Sequence, residues 1–187
     1  MTRRTAPDAA QTAAVAGGSG SSGGRRLYVG VIGADSCPPQ AWEAAARVGE
    51  GLARAGAIVV CGGRGGVMEA AAQGASRAGG LVVGVLPGPD RSLANRFLTV
   101  SLPTGMGQAR NVIIVLSSHA IVALSGGYGT LSEIGCALKH GVPVVGLDTW
   151  VPLREGRPPE GLHPVAGPEE AVELALRLAR ARASRIA

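Results

Sequence analysis

From residue 27 onward, short runs of apolar residues alternate with longer segments in which apolar residues recur at helical spacing. Apolar runs of this kind, rich in Val, Ile and Leu, are typical of strands that are buried on both faces of a sheet. The runs predict strands at residues 27–32, 57–60, 81–86, 97–102, 120–124 and 142–147. The helical segments predict helices at residues 40–55, 66–78, 107–118, 131–139 and 168–183.

Regular alternation of strands and helices predicts one α/β domain, residues 27–187, built on a doubly wound, mainly parallel sheet. This Rossmann-like arrangement carries helices on both faces of the sheet, and a chain of 187 residues is long enough for one such domain. Residues 1–26 lack an apolar pattern and are rich in Ala, Gly and Ser, so they predict a disordered tail.

The segment 107–118 is ambiguous, because its β-branched run Asn111–Leu116 would also suit a strand. A helix is favoured, since parallel strands at 97–102 and 120–124 need a crossover between them. That helix would be apolar nearly all round and should be buried on more than one side. A subunit interface would bury it, so we expect a homodimer or a homotetramer.

The formal net charge of +5 suggests a nucleic-acid partner, but the distribution of the charge argues against one. Residues 1–26 contain four arginines and one aspartate, whereas residues 27–168 contain ten basic and nine acidic residues. The excess therefore lies mainly in the tail and forms no basic stripe along the domain. We expect no nucleic-acid partner.

The apolar runs, cysteines, histidines and lysine of the sequence argue against several further classes of function. No apolar run is long enough to cross a membrane, so we expect no membrane partner. The three cysteines are widely spaced, as in reduced cytoplasmic proteins, and the three histidines lack metal-binding spacing, so we predict no metal site. Lys139, the only lysine, lies roughly 13 Å along a helix from Thr130, which argues against a pyridoxal phosphate decarboxylase.

Three glycine-rich loops follow predicted strands, at residues 33–36, 62–68 and 125–130. Because ligands of parallel α/β sheets bind beyond the carboxyl ends of the strands, and glycine lets backbone N–H groups approach phosphate, the loops predict a phosphate site. The predicted ligand-binding residues are Gly33, Ser36, Gly62, Gly63, Gly65, Gly66, Gly126, Gly127, Tyr128, Gly129 and Thr130.

The third loop continues into Thr130 and Glu133, which have the spacing of a capping box. In that interpretation Thr130 caps the following helix and Glu133 bonds back to it, which alone would explain both residues. In the alternative interpretation the Glu133 carboxylate lies beside the ligand, where it could stabilise a developing positive charge or activate water. The sequence leaves both open.

The run Ser125–Glu133 resembles the PGGxGTxxE signature of the Lonely Guy family, the cytokinin-activating phosphoribohydrolases. Arg110 falls where that family's MHxRK motif places its arginine, although Ser125 replaces the motif proline, Gln108 its histidine and Asn111 its lysine. The segments 105–111 and 127–134 look more like a sister branch that includes the molybdenum cofactor carrier proteins.

The hydrolase resemblance implies that Arg110 and Glu133 are catalytic and cleave the N-glycosidic bond of a nucleoside 5′-monophosphate, with no cofactor required. The alternative role for Arg110 is a salt bridge at a subunit interface. The sister branch implies a carrier that holds the molybdenum cofactor without converting it. Met106, which lies in the segment 105–111, is also predicted to bind the ligand. The expected partner is thus a small phosphorylated molecule, either AMP-like or molybdopterin-like.

Overall fold

The computed structural model describes residues 26–153 and 155–186, so the tail predicted at residues 1–26 lies, except for Arg26, outside the described residues. The strands are β1 (Tyr28–Gly33), β2 (Ile58–Cys61), β3 (Val82–Leu86), β4 (Val100–Pro103), β5 (Ala120–Leu124), β6 (Val144–Leu147) and β7 (Leu162–Val165). The helices are α1 (Pro39–Arg54), α2 (Gly66–Arg77), α3 (Asn111–Leu116), α4 (Tyr128–Lys139) and α5 (Pro168–Arg185), and a 3₁₀ turn (Gly107–Arg110) precedes α3.

All seven strands of the described sheet run parallel, in the order β4-β3-β2-β1-β5-β6-β7. The chain builds the sheet outward from β1 to β4 and then returns to the other side of β1 to add β5, β6 and β7. The strand order therefore reverses beside β1, which is the point where doubly wound sheets open a crevice for ligands. The predicted fold class is confirmed.

Side chains alternate between the two faces of the sheet, so each strand contributes to two cores. Val31 packs with α1, α2 and α5 on one face, whereas its neighbour Ile32 packs with α3 and α4 on the other. Helices α1 and α2 touch through glycine, because a Cβ atom on Gly49 would lie 2.0 Å from the Ala71 carbonyl oxygen. The many small residues thus serve close helix packing.

The structure corrects several of the predicted elements. Strand β7 was not predicted, because its sequence includes His163 and Pro164 and lacks the apolar run of the inner strands. The segment 107–118 is divided between the 3₁₀ turn and the short α3, on which Ile114 and Val115 are buried while Val112 and Leu116 remain exposed. The helix after β5 begins at Tyr128, three residues before its predicted start.

None of the described helices combines the length and the hydropathy that a membrane span requires. Within residues 26–153 and 155–186, His, Cys, Asp and Glu side chains form no group of three or more that could hold a metal ion.

Candidate active site

A cleft of about 270 Å³ opens at the carboxyl ends of β1, β2 and β5. It combines backbone from the glycine loops with two arginines, two carboxylates and two amide side chains. The lining residues are Gly33, Ala34, Asp35, Arg64, Met68, Gln108, Arg110, Asn111, Gly127, Gly129, Thr130 and Glu133. The cleft therefore lies at the reversal of strand order, and it brings Arg110 and Glu133 together with parts of all three glycine loops.

The amino end of α4 forms one wall of this cleft. Gly127 and Gly129 line it, and a Cβ atom added to either glycine would meet no atom within 4 Å. The residue before the helix, Gly127, has extended backbone, and no side chain caps the helix end. The first N–H groups of an α-helix have no partner within the helix, so this end can bind an anion.

The capping-box interpretation of Thr130 and Glu133 is wrong. The residue before α4 is Gly127, so both side chains lie inside the helix and neither can cap its first residue. Thr130 is instead buried against the preceding loop, where a Cβ atom on Gly126 would lie 2.2 Å from the Thr130 Oγ1 atom. Gly126 also has a φ of 102°, so glycine is needed there for both space and conformation.

The floor of the cleft holds a buried pair of opposite charges. The Arg110 Nη1 atom lies 3.8 Å from the Glu133 Oε1 atom, and the two side chains are only 7% and 8% exposed. Arg110 also donates a hydrogen bond from Nη1 to the Asn111 Oδ1 atom, whereas its buried Nε–H has no hydrogen-bond partner. Because the guanidinium also lines the cleft and carries several donors, it is suited to hold a ligand.

Burial dominates the electrostatics of this pair. Loss of hydration raises the pKa of Glu133 to about 7, although the positive charge of Arg110 lowers it in part. Burial likewise lowers the pKa of Arg110 from its ordinary value, against the opposing effect of Glu133. Glu133 therefore changes charge close to neutral pH, which is a property of many catalytic carboxylates.

Arg110 reaches across the cleft floor to the end of β2. A Cβ atom on Gly62 would lie 2.7 Å from the Arg110 Nη2 atom and 2.6 Å from the Met68 Sδ atom. Gly62 thus does not line the cleft, but the absence of its side chain lets the guanidinium lie against the backbone. The space that the Arg110 guanidinium needs therefore explains a glycine at position 62 better than direct contact with a ligand does.

Asp35 and Arg64 form a second charged pair at the cleft, which the sequence analysis did not single out. The Arg64 Nη2 atom lies 2.9 Å from Asp35 Oδ2, and Asp35 Oδ1 accepts a hydrogen bond from the Gly65 backbone N–H at 3.1 Å. In the sequence, the only indication of this pair is that two of the glycine-rich loops carry residues of opposite charge. The two side chains meet because β1 and β2 are neighbours in the sheet.

The remaining predicted residues surround the cleft rather than line it: Ser36, Gly62, Gly63, Gly65, Gly66, Met106, Gly126 and Tyr128. Gly66 has a φ of 58°, and a Cβ atom there would lie 2.3 Å from the Ala34 carbonyl oxygen. Ser36 and Met106 are exposed. Several of these glycines therefore serve loop packing.

The loop before α4 is held in place by the segment that follows β6. The Trp150 Nε1–H donates to the Gly126 carbonyl oxygen at 3.0 Å, and the Thr149 hydroxyl donates to the Ser125 carbonyl oxygen at 2.6 Å. Trp150 also stacks on Tyr128, with ring centroids 5.6 Å apart. These contacts fix the backbone beside the cleft without a side chain entering it.

A family model described as the SLOG cluster4 family matches residues 26–172. The chain belongs to this family. An uncharacterized protein of Archaeoglobus fulgidus is 47% identical to it over 146 residues, covering 78% of this chain and 92% of the archaeal protein. A probable cytokinin riboside 5′-monophosphate phosphoribohydrolase of Oryza sativa subsp. japonica is 33% identical over 127 residues, covering 66% of this chain and 48%, or about half, of the rice protein.

Solved structures of similar proteins share the fold and align with most of this chain. The molybdenum cofactor binding protein of Rippkaea orientalis is 34% identical with a TM-score of 0.76, covering 82% of this chain and 98% of that structure. The molybdenum cofactor carrier protein of Chlamydomonas reinhardtii is 33% identical with a TM-score of 0.73, covering 83% and 99% respectively. The resemblance to both branches that the motifs indicated is thereby confirmed.

Proposed function

We propose that the cleft binds a phosphorylated, nucleotide-like ligand and hydrolyses the N-glycosidic bond of a nucleoside 5′-monophosphate to a free base and ribose 5-phosphate. The observation that carries this proposal is the buried Arg110–Glu133 pair below the uncapped amino end of α4. The likeness to the rice phosphoribohydrolase supports it.

The phosphate is proposed to bind at the amino end of α4. Gly127 and Gly129 leave this end open to the cleft, and the unpaired N–H groups of the first helical turn attract an anion. Glu133 lies six residues after Gly127, roughly 9 Å along the same helix, so a nucleotide with its phosphate at this end would extend its ribose toward the carboxylate.

Glu133 would act on the anomeric carbon. As the C1′–N bond breaks, its electron pair leaves with the base and positive charge develops on the ribose ring, which a carboxylate stabilises. Water then adds its hydroxyl group to C1′, and the proton it releases balances the charge of the departing base. Arg110 would hold the ligand through charge-assisted hydrogen bonds from its guanidinium, which lines the cleft.

The proposal is tested by incubating the protein with AMP, GMP and IMP and measuring the free base and ribose 5-phosphate. The Glu133→Gln variant is the control, because it keeps the shape of the side chain and removes its negative charge. Release by the wild-type protein that exceeds release by this variant is expected. Equal release by the two proteins would refute the hydrolase.

A second candidate function is a carrier that holds the molybdenum cofactor without converting it. Gln108 and Asn111, which replace the histidine and lysine of the hydrolase motif, both line the cleft. The two molybdenum cofactor proteins resemble the chain along almost their whole length. Native mass spectrometry of freshly purified protein tests this function, since a carrier retains intact cofactor and a hydrolase does not.

A further inference from the structure

The Asp35–Arg64 pair joins the loops that follow β1 and β2. Arg64 precedes α2, which follows β2, whereas the proposed phosphate site precedes α4, which follows β5. Because β1 separates β2 from β5, the two helix ends start two strand spacings apart, roughly 10 Å. A single phosphate group cannot span that distance, so Arg64 faces a different part of any ligand bound at α4.

Arg110 lies between these two regions. Its guanidinium is 3.8 Å from Glu133 on α4, and it also lies against Gly62, two residues before Arg64 in the loop after β2. Arg110 therefore connects the side of the cleft formed by α4 with the loop that carries Arg64. A nucleotide with its phosphate at α4 and its ribose at the Arg110–Glu133 pair would extend its base toward the loop that carries Arg64.

Arg64 keeps free hydrogen-bond donors at its end of the cleft. Both carboxylates are already engaged, Asp35 by Arg64 and the Gly65 N–H, and Glu133 by Arg110. A guanidinium has five N–H donors, and Arg64 uses one nitrogen on Asp35 while its side chain stays 38% exposed. The loop that carries Arg64 is held by Asn95, whose Nδ2 donates to the Arg64 carbonyl oxygen at 3.0 Å.

We infer that Arg64 determines specificity at this base subsite and selects a ring that presents a carbonyl oxygen beside a nitrogen acceptor. The planar guanidinium matches two adjacent acceptors, the edge that 6-oxopurines and 4-oxopterins share. Adenine presents an amino donor in place of the carbonyl oxygen and is disfavoured. The inference rests on the proposed function, because it takes the phosphate to lie at α4.

Calorimetric titration of the full chain with GMP, IMP, AMP and neopterin monophosphate tests the inference. The wild-type protein is expected to bind GMP and IMP at least about fivefold more tightly than AMP. The Arg64→Gln variant is expected to reverse this ratio, since a glutamine amide donates to N7 and accepts from the N6 amino group of adenine. A misfolded variant cannot gain affinity for AMP, so the reversal reports on recognition.

Two further variants complete the experiment. Arg64→Lys keeps the charge without the planar fork and is expected to bring the GMP to AMP ratio close to one. The matched control is Arg54→Gln, which removes a surface ion pair with Glu50 at the end of α1, remote from the cleft, and should leave the ratio unchanged. Equal or tighter binding of AMP by the wild-type protein, or an unchanged ratio in Arg64→Gln, would overturn the inference.

Failure of the inference and failure of the proposed hydrolase can be told apart. Binding that prefers GMP and depends on Arg64, without release of free base, supports the inference and refutes the proposed hydrolysis. Hydrolysis of AMP at the same rate as GMP, with no change in the Arg64→Gln variant, supports the proposed reaction and refutes the inference about Arg64. If the wild-type protein binds only neopterin monophosphate and the Arg64→Gln variant does not, recognition of adjacent acceptors by Arg64 is supported. The ligand is then a carried pterin rather than a nucleotide.

Discussion

The Arg110 guanidinium and the Glu133 carboxylate lie 3.8 Å apart, and both are more than nine-tenths buried. Burial of a charged pair costs hydration free energy that its mutual attraction repays only in part, so such a pair is seldom placed for stability alone. Here it lies on the floor of a cleft that reaches solvent, and Arg110 retains a donor without a partner.

The proposed activity should depend on pH through Glu133. Its pKa of about 7 means that the carboxylate form needed to stabilise positive charge forms only as the pH rises through neutrality. We expect kcat/KM to increase by about tenfold for each unit of pH below 7 and to level off above it. Steady-state assays from pH 5 to pH 9 measure this, and a profile that falls across that range would contradict the assigned role.

Glu133 should also make stability depend on pH. Its folded-state pKa of about 7 exceeds its ordinary value of 4.5, so the folded protein retains a proton that the unfolded chain has lost. The stabilisation from this proton is complete below pH 4.5 and is lost as the pH rises through 7. At about 1.4 kcal/mol per pKa unit, the total change in unfolding free energy is roughly 3 kcal/mol.

The Glu133→Gln variant isolates that contribution, because glutamine carries no titrating proton. Relative to the wild-type protein, the variant should gain stability between pH 5 and pH 8. Denaturant unfolding at pH 5 and at pH 8 gives the difference in unfolding free energy between the two proteins at each pH. A stability difference between the two proteins that stays constant with pH would show that Glu133 titrates in the folded state as it does in the unfolded chain.

Replacement of Gly62 by alanine should impair the site without entering the cleft. The added methyl group would lie 2.7 Å from the Arg110 Nη2 atom, so the guanidinium must move away from the end of β2. We expect activity to fall by more than tenfold and stability to fall by about 1–3 kcal/mol, the usual cost of overpacking. The control is Gly88→Ala, because a Cβ atom there meets nothing within 4 Å; equal activity in the two variants would contradict the prediction.

Oligomerisation should depend on the exposed side of α3. Val112 and Leu116 are 42% and 53% exposed and lie one helical turn apart, while the opposite side of the helix is buried. We expect light scattering to find a dimer or a tetramer at micromolar concentration. The Leu116→Glu variant should shift the protein toward the monomer, because a buried unpaired carboxylate weakens the interface. A monomeric wild-type protein would rule out this role for α3.

The sequence by itself determined the fold class, and it predicted the edge of the sheet at which the cleft lies. Buried parallel strands are apolar throughout, so β1, β2, β3 and β5 could be recognised without any knowledge of their neighbours. The glycine loops that follow them predicted the edge of the sheet on which the cleft lies. Arg110 and Glu133 could be predicted as site residues because each belongs to a motif of adjacent residues, and local motifs can be read along a chain.

Only the tertiary structure decided which residues act on one another. The edge strand β7 carries His163 and Pro164 and became a strand because β6 offers it a partner. Asp35 and Arg64 meet because β1 and β2 are neighbours, and the pKa of Glu133 rises because packing removes water from it. Periodicity and propensity are properties of neighbouring residues, whereas contact, burial and charge pairing between distant residues exist only after the chain has folded.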